Sequence, residues 1–136
     1  MAVKVDSQRL NAGLRTLERE TEDKSRVAKS WIGFHAVQSL RGASPNAVRK
    51  GWHDTGKQQR SYVFALSPQG RRISIGNFAR SKNGYPYPKL NERRYQVAGK
   101  VIQANRSQIV RMTKRSLAAG LREYRGSYRR ASLSRS

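Results

Sequence analysis

Cysteine is absent from this 136-residue sequence, which excludes disulfides and thiol chemistry. Only two histidines are present, His35 and His53, too few to build a structural zinc site by themselves. Acidic residues are also scarce, since eight Asp and Glu stand against 29 Lys and Arg and the formal net charge is +21. A two-carboxylate hydrolase or an acidic magnesium site is therefore hard to assemble. We expect no metal and no cofactor.

Long apolar runs are missing as well. No stretch approaches the roughly 18 apolar residues of a membrane span, and the N-terminus lacks the apolar segment of a signal peptide. We expect a soluble protein that is made in the cytoplasm and has no membrane partner. Leu, Ile, Val and Phe number only 26, which predicts a thin core that association with other subunits completes.

Basic residues are abundant and concentrate in the second half of the chain. Residues 1–54 hold ten Lys and Arg with six Asp and Glu, whereas residues 55–136 hold nineteen and two. Such an excess opposes compaction and favours a polyanion or acidic neighbouring subunits as partner. We predict contacts with DNA or with an acidic protein partner at eight cationic residues: Arg106, Arg111, Lys114, Arg115, Arg122, Arg125, Arg129 and Arg130.

Apolar spacing predicts an α+β fold in one domain of residues 1–125. Long N-terminal helices are predicted over about 7–41, beginning at a cap on Asp6 or Ser7, and the second helical run aligns Val27 with Trp31 on one face. A β-hairpin at about 62–77, turning at residues 67–70, predicts a small antiparallel sheet. A loop is predicted over 81–88, and a long C-terminal helix over about 97–124. The polar, basic stretch 126–136 predicts a flexible arm.

Neither histidine predicts an active site. His35 lies in the helical run 31–40, where a structural role is favoured, and His53 adjoins Asp54, although sequence neighbours on an extended chain point to opposite sides. No glycine motif has the spacing of a nucleotide-binding loop. We expect no enzymatic activity and no catalytic residue. A small basic ribonuclease of the toxin type, working with Arg, Lys and Tyr, remains an alternative.

The most specific local pattern is Asp54-Thr55-Gly56 with Ser61 five residues after the glycine. Asp and Thr side chains accept hydrogen bonds from nearby backbone amides, and Gly56 permits a positive φ. The pattern therefore predicts a turn and cap that leads into the first strand of the hairpin.

This pattern, with a helix ahead of it, a hairpin behind it and a helix closing the chain, resembles the neck or tail-completion proteins of tailed bacteriophages. That head–tail joining family includes proteins similar to minor tail protein Z. Residues 8–125 carry the resemblance, and the segments HDTGKQQRSYVFAL and RRISIGN fit the family's D-T-G motif and strand pair. Gln58 stands where the family usually has an apolar residue, and YPYPKLNERRY differs from the family's common version of that loop.

The resemblance implies a non-enzymatic structural protein of the virion, located at the neck or the top of the tail. It implies a cyclic homo-oligomer with sixfold-related symmetry. The ring would join the connector or head-closure protein to the tail tube or tail terminator. Its basic side chains would face acidic surfaces of the adjoining rings, or would line the passage and hold the end of the packaged double-stranded DNA without sequence preference. A stand-alone basic nucleic-acid-binding protein is the alternative that the residues leave open.

Overall fold

Helices and one small antiparallel sheet make up the computed structural model, which describes residues 2–42 and 57–119. The predicted α+β class is confirmed. In chain order the described elements are β1 (Val3–Val5), α1 (Gln8–Thr21), α2 (Arg26–Arg41), the single-turn α3 (Lys57–Arg60), β2 (Tyr62–Leu66), β3 (Ile73–Asn77), α4 (Tyr87–Tyr95), α5 (Val97–Ala104) and α6 (Arg106–Ala119). None of these helices is both long enough and apolar enough to cross a membrane.

The sheet has the order β1-β3-β2, with both pairs antiparallel. β2 and β3 form the predicted hairpin, in which Phe64 lies opposite Ile75. Ile75 also lies opposite Val5 of β1, so these three side chains share one face of the sheet. All three are buried, and that face therefore contributes to the core.

The hairpin turn is closed by its own hydrogen bonds and rests on the start of α2. The Ser67 N–H donates to the Arg72 carbonyl over 2.9 Å, and the Ser67 hydroxyl accepts from two backbone amides of the turn. Gly70 has a φ of +67°, a conformation that disfavours a side chain. Its Cα lies against the Arg26 side chain, whose guanidinium donates to the Pro68 carbonyl. The turn is thereby fixed to α2.

Helix α2 lies directly on the buried face of the sheet. A Cβ placed on Gly33 would lie 2.4 Å from a ring carbon of Phe64, so the helix approaches the strand too closely for any side chain there. Most of α2 is buried, because α6 packs on it as well. At the end of α2, the Arg41 guanidinium donates twice to the Tyr62 carbonyl, at 2.9 and 2.7 Å. The helix is therefore joined to the sheet near both of its ends.

Three predicted features differ from the structure. The sequence interpretation missed β1, whose three residues pair with a strand about 70 positions later. The predicted loop over 81–88 is too long, because α4 begins at Tyr87 with proline in its first turn, a position where proline costs no hydrogen bond. Val27 is 58% exposed and does not share the buried face of α2 with Trp31.

The predicted helix over 97–124 is two helices within the described residues. Asn105 ends α5, where its side-chain amide donates to the Val101 carbonyl and its backbone N–H reaches two carbonyls of the last turn. Helix α6 then runs to Ala119. Residues 120–124 and the arm predicted over 126–136 lie outside the described residues.

Candidate cationic interface

Three of the predicted contact residues form a cationic stripe on α6. Arg111, Lys114 and Arg115 are spaced by three and four, which places them on one side of the helix, and all three are exposed. The opposite side carries the buried residues Ile109 and Ser116, which face the core. The opposite face of α6 packs on the core, so the stripe faces solvent.

Arg106 belongs to a different surface. It is the first residue of α6, and its Nε lies 3.3 Å from a carboxylate oxygen of Glu20 on α1. Arg106 therefore faces α1 and is not part of the stripe. The other four predicted contacts, Arg122, Arg125, Arg129 and Arg130, lie outside the described residues.

The stripe belongs to a segment with almost no negative charge. Residues 57–119 contain fourteen Lys and Arg and a single acidic residue, Glu92. All fourteen basic side chains are exposed or half-buried, whereas Glu92 is fully buried. This segment therefore contributes positive charge and no exposed carboxylate to the surface, and Arg106 takes its carboxylate partner, Glu20, from α1.

Glu92 is buried because it closes a junction of three helices. Its carboxylate accepts from the Ala98 N–H at 2.7 Å and the Gly99 N–H at 3.3 Å, which are free donors at the start of α5. It also accepts from the Ser7 hydroxyl at 2.9 Å, while the Ser7 Oγ accepts from the Leu10 N–H and caps α1. Burial raises the pKa of the Glu92 carboxyl, and the three hydrogen bonds offset this only in part. The one carboxylate of this segment thus has a structural role.

The D-T-G motif is only partly visible in the structure. Asp54, Thr55 and Gly56 lie outside the described residues, so the predicted turn remains a prediction. The motif's serine, Ser61, donates its hydroxyl to the Lys57 carbonyl at 2.6 Å and its N–H to the Gln58 carbonyl at 3.1 Å. Ser61 therefore closes the single turn of α3 just before β2.

Gln58 is buried and its amide is satisfied by a small polar network. Its Nε2 donates to the Tyr62 hydroxyl at 3.0 Å, and its Oε1 accepts from the Asn91 amide at 2.6 Å. The Gln58 carbonyl accepts from the buried Asn77 side chain at 2.8 Å. This network explains how a polar residue occupies a core position, since a buried amide is tolerated when it is hydrogen-bonded. It joins α3, β2, β3 and α4.

His35 is a buried side chain of α2 and is not placed as a general base. Its Nε2 lies 2.7 Å from the Ser116 Oγ of α6, and its ring stacks on Trp31 with centroids 5.8 Å apart. Burial lowers the pKa of this imidazole to about 4, so the ring is neutral at neutral pH. The geometry matches the structural role that the sequence favoured. His53 lies outside the described residues.

The loop that the sequence predicted after β3 forms a second notable surface, although the sequence analysis did not identify its exposed aromatic side chains. Residues 81–85 form a closed turn. The Ser81 N–H donates to the Tyr85 carbonyl at 2.9 Å, and the Ser81 hydroxyl accepts from the Tyr85 N–H at 3.1 Å. Gly84 supplies a φ of +80°. The loop exposes Tyr85 and, just before it, Phe78, by 52% and 44%. The signal was present in the sequence as aromatic residues among Gly and Pro.

Within residues 2–42 and 57–119, no three His, Asp or Glu side chains are grouped to hold a metal ion. Comparison with known proteins gave no matching family model, no similar curated protein and no similar solved structure.

Proposed function

We propose that this chain is a structural protein of a tailed bacteriophage virion, which forms a ring at the head–tail junction and faces packaged DNA with its cationic surface. The proposal starts from the D-T-G pattern with Ser61 and from the order of elements, in which two helices precede the hairpin and helices follow it. The ring would join the connector to the tail tube or tail terminator, without enzymatic activity.

The observation that carries the proposal is the cationic surface of residues 57–119, a segment that contributes no exposed carboxylate. On α6, Arg111 lies three and four residues from Lys114 and Arg115, and like charges at these spacings destabilise a helix by about 0.2–0.5 kcal/mol per pair. No acidic residue of α6 offsets them. A polyanion or an acidic ring would remove this repulsion, which is the reason to place the stripe at a contact.

Double-stranded DNA is the partner we favour for the stripe. A stripe of three cations on one helix face suits a phosphate backbone, because Arg and Lys side chains neutralise phosphates whatever the base sequence. Binding should therefore be independent of sequence and strongly dependent on salt, because each neutralised phosphate contributes about 0.9 to the slope of log K against log salt.

The test combines particle images with DNA binding. Negative-stain electron microscopy of the full chain, with and without duplex DNA, should show closed rings with a central hole. Binding of duplex DNA should weaken in the triple variant Arg111→Gln, Lys114→Gln and Arg115→Gln, with a salt slope lower by up to about 3. A matched triple variant on α4, Lys89→Gln, Arg93→Gln and Arg94→Gln, should keep more of the affinity. A chain that stays monomeric with DNA and with phage connectors would overturn the proposal.

A stand-alone nucleic-acid-binding protein is the second candidate, because the same exposed stripe on α6 could act without a ring. The two candidates predict the same loss of DNA affinity in the stripe variant. They differ in assembly, since the second candidate binds DNA as a monomer at every protein concentration. Light scattering across a concentration series, with DNA present, separates them.

A further inference from the structure

We propose that Asn83 is a site of spontaneous covalent modification, at which the main-chain nitrogen of Gly84 displaces ammonia from the asparagine side chain. The reaction needs only water as a second reactant, and its products carry aspartate or isoaspartate in place of the asparagine. The site lies in the closed turn of residues 81–85. The reaction depends neither on the proposed ring nor on a bound partner.

Asn83 is set apart from the other asparagines by the residue that follows it. The sequence contains six asparagines, and only Asn83 precedes a glycine. Asparagine is a thermally labile residue, because the nitrogen of the next residue can attack its side-chain carbonyl carbon. A side chain on that next residue hinders the approach, whereas glycine has no Cβ. Within the described residues, no atom lies within 4 Å of the position that a Gly84 Cβ would take, so the surrounding chain does not crowd the site either.

The fold also leaves the side-chain amide of Asn83 unheld, in contrast to the other asparagines of the described ranges. In each of those four, Nδ2 donates a hydrogen bond of 2.6 or 2.8 Å: Asn11 to Asp6 Oδ1, Asn77 to the Gln58 carbonyl, Asn91 to Gln58 Oε1 and Asn105 to the Val101 carbonyl. The Asn83 side chain is exposed and makes no such bond with any described residue. Its amide is therefore free to turn toward the Gly84 nitrogen.

The hydrogen bonds of the turn are the barrier that the structure opposes to the reaction. The Gly84 N–H donates to the Ser81 carbonyl at 2.9 Å, and the Tyr85 N–H donates to the Ser81 hydroxyl at 3.1 Å. The Gly84 nitrogen attacks only when its own hydrogen bond opens. Residues 81–85 are all exposed, and short exposed segments open locally at a small cost in free energy. We therefore expect the rate of conversion to follow the opening of this turn.

The reaction conserves atoms and involves no oxidation or reduction. The Gly84 nitrogen loses its proton and bonds to Cγ of Asn83, the bond from Cγ to Nδ2 breaks, and Nδ2 leaves with a proton as ammonia. Water then adds to one of the two carbonyl carbons of the resulting cyclic imide. Aspartate forms when the bond from the nitrogen to Cγ breaks, and isoaspartate forms when the bond from the nitrogen to the main-chain carbonyl carbon breaks.

Either product changes the surface that exposes Tyr85. Residues 78–89 contain three Lys and Arg and no acidic residue, so the reaction places the first carboxylate of this stretch next to Lys82. Isoaspartate also inserts an additional atom into the main chain between Ser81 and Gly84. The turn then cannot keep both of its bonds to Ser81 in their present geometry. The modification therefore alters the charge of the loop and the path of its main chain.

Peptide mapping of the full chain tests the site against an internal control. The protein is kept at neutral and at mildly alkaline pH, and samples taken over time are digested with trypsin, which cleaves after Lys82 and Lys89. Peptide 83–89 then contains Asn83 as its one asparagine, and the adjacent peptide 90–93 contains Asn91. Mass spectrometry should show peptide 83–89 converting to two separable products of equal mass, faster at the higher pH because loss of the amide proton creates the nucleophile. Peptide 90–93 should convert at least about tenfold more slowly, which corresponds to about 1.4 kcal/mol in activation free energy.

The variant Gly84→Ala separates the chemistry from the flexibility of the loop. Gly84 has a φ of +80°, which disfavours alanine, so the substitution strains the turn and favours its opening. The added Cβ hinders the attack, and conversion should still be slower by at least about tenfold. Ser81→Ala removes the hydroxyl that accepts from the Tyr85 N–H, so it should speed conversion. Asn83→Gln would have to form a larger ring and should leave the peptide unmodified.

Two results would overturn the proposal. One is a peptide 83–89 that keeps its amide as long as peptide 90–93 does, and the other is conversion of Gly84→Ala at the wild-type rate. Equal rates in Ser81→Ala and in the wild type would contradict the role assigned to turn opening. None of these results bears on the proposed ring, which is tested by assembly and by DNA binding.

Discussion

Gly33 is the residue at which one added carbon atom would do the most harm to the helix–sheet contact. A Cβ there would lie 2.4, 2.8 and 3.0 Å from three ring carbons of Phe64, which is itself fully buried and cannot move aside. We expect Gly33→Ala to lower the free energy of unfolding by about 1–3 kcal/mol, the usual cost of overpacking a core. Urea denaturation of the variant and of the wild type measures this difference in the free energy of unfolding.

Gly13→Ala provides the matched control for that prediction. Gly13 lies inside α1, where an added Cβ would meet only a methyl group of Ile102 at 3.4 Å, an ordinary contact. Alanine is the better helix former by about 0.5–1 kcal/mol, so this variant should be at least as stable as the wild type. Equal losses in the two variants would contradict the close approach at Gly33.

His35 makes stability depend on pH between about 6.5 and 4. Its pKa falls from 6.5 to about 4 in the folded protein because burial disfavours the charged ring, so the unfolded chain binds a proton that the folded chain does not. The stabilisation is complete above pH 6.5 and is lost as the pH falls, by at most about 3 kcal/mol. In His35→Gln this component should disappear from the pH profile of unfolding, whereas His53→Gln should retain it. Identical profiles in both variants would contradict the buried neutral imidazole.

At the scale of secondary-structure elements, the sequence predicts the features that depend only on residues close together in the chain. The hairpin follows from β-formers on both sides of a turn with Gly70 at its end, and the α6 stripe follows from the spacing of Arg111, Lys114 and Arg115. β1 has no such signal, because three residues gain strand structure only by pairing with distant β3. Likewise, the ion pair between Arg106 and Glu20 depends on how α6 packs on α1.

Helix boundaries are also hard to predict from the sequence, because apolar periodicity does not mark where a helix begins or ends. Proline predicted a loop before Lys89, yet α4 accepts proline in its first turn, where the backbone N–H has no helical partner. Asn105 interrupts the last helix although the apolar spacing continues across it. In both places residues at the end of a helix decide the outcome, proline in the first turn of α4 and the Asn105 cap at the end of α5, and periodicity alone does not reveal either.

The junction of α1, α4 and α5 depends on the Glu92 carboxylate. Glu92→Ala would leave the buried Ala98 and Gly99 N–H groups without their acceptor, and each unsatisfied buried group costs about 1–3 kcal/mol. We expect a loss of about 2–4 kcal/mol in urea denaturation. Arg93→Ala changes the adjacent, exposed residue of α4 and should stay within about 0.5 kcal/mol of the wild type. A near-neutral Glu92→Ala would show that the cap does not hold the junction.

For the whole molecule, a net charge of +21 makes the isolated chain sensitive to salt. Raising the ionic strength from 0.01 to 0.15 M shortens the screening length from about 30 to about 8 Å, which weakens repulsion between exposed cations. The midpoint of thermal unfolding should therefore rise by at least about 3 °C, a shift that corresponds to roughly 1 kcal/mol in a domain of this size. A midpoint that does not change with salt would contradict a dominant repulsion.

The cationic stripe should contribute measurably to that repulsion. In the triple variant Arg111→Gln, Lys114→Gln and Arg115→Gln, the unfolding midpoint at low salt should be higher than in the wild type, and its rise with salt should be smaller. Glu20→Gln should have the opposite effect at low salt, because it leaves Arg106 without its carboxylate partner. If the triple variant is more stable than the wild type but binds duplex DNA less tightly, the three cations of the stripe lower the stability of the fold and raise its affinity for a polyanion. Lower stability in the triple variant would instead assign the stripe a structural role.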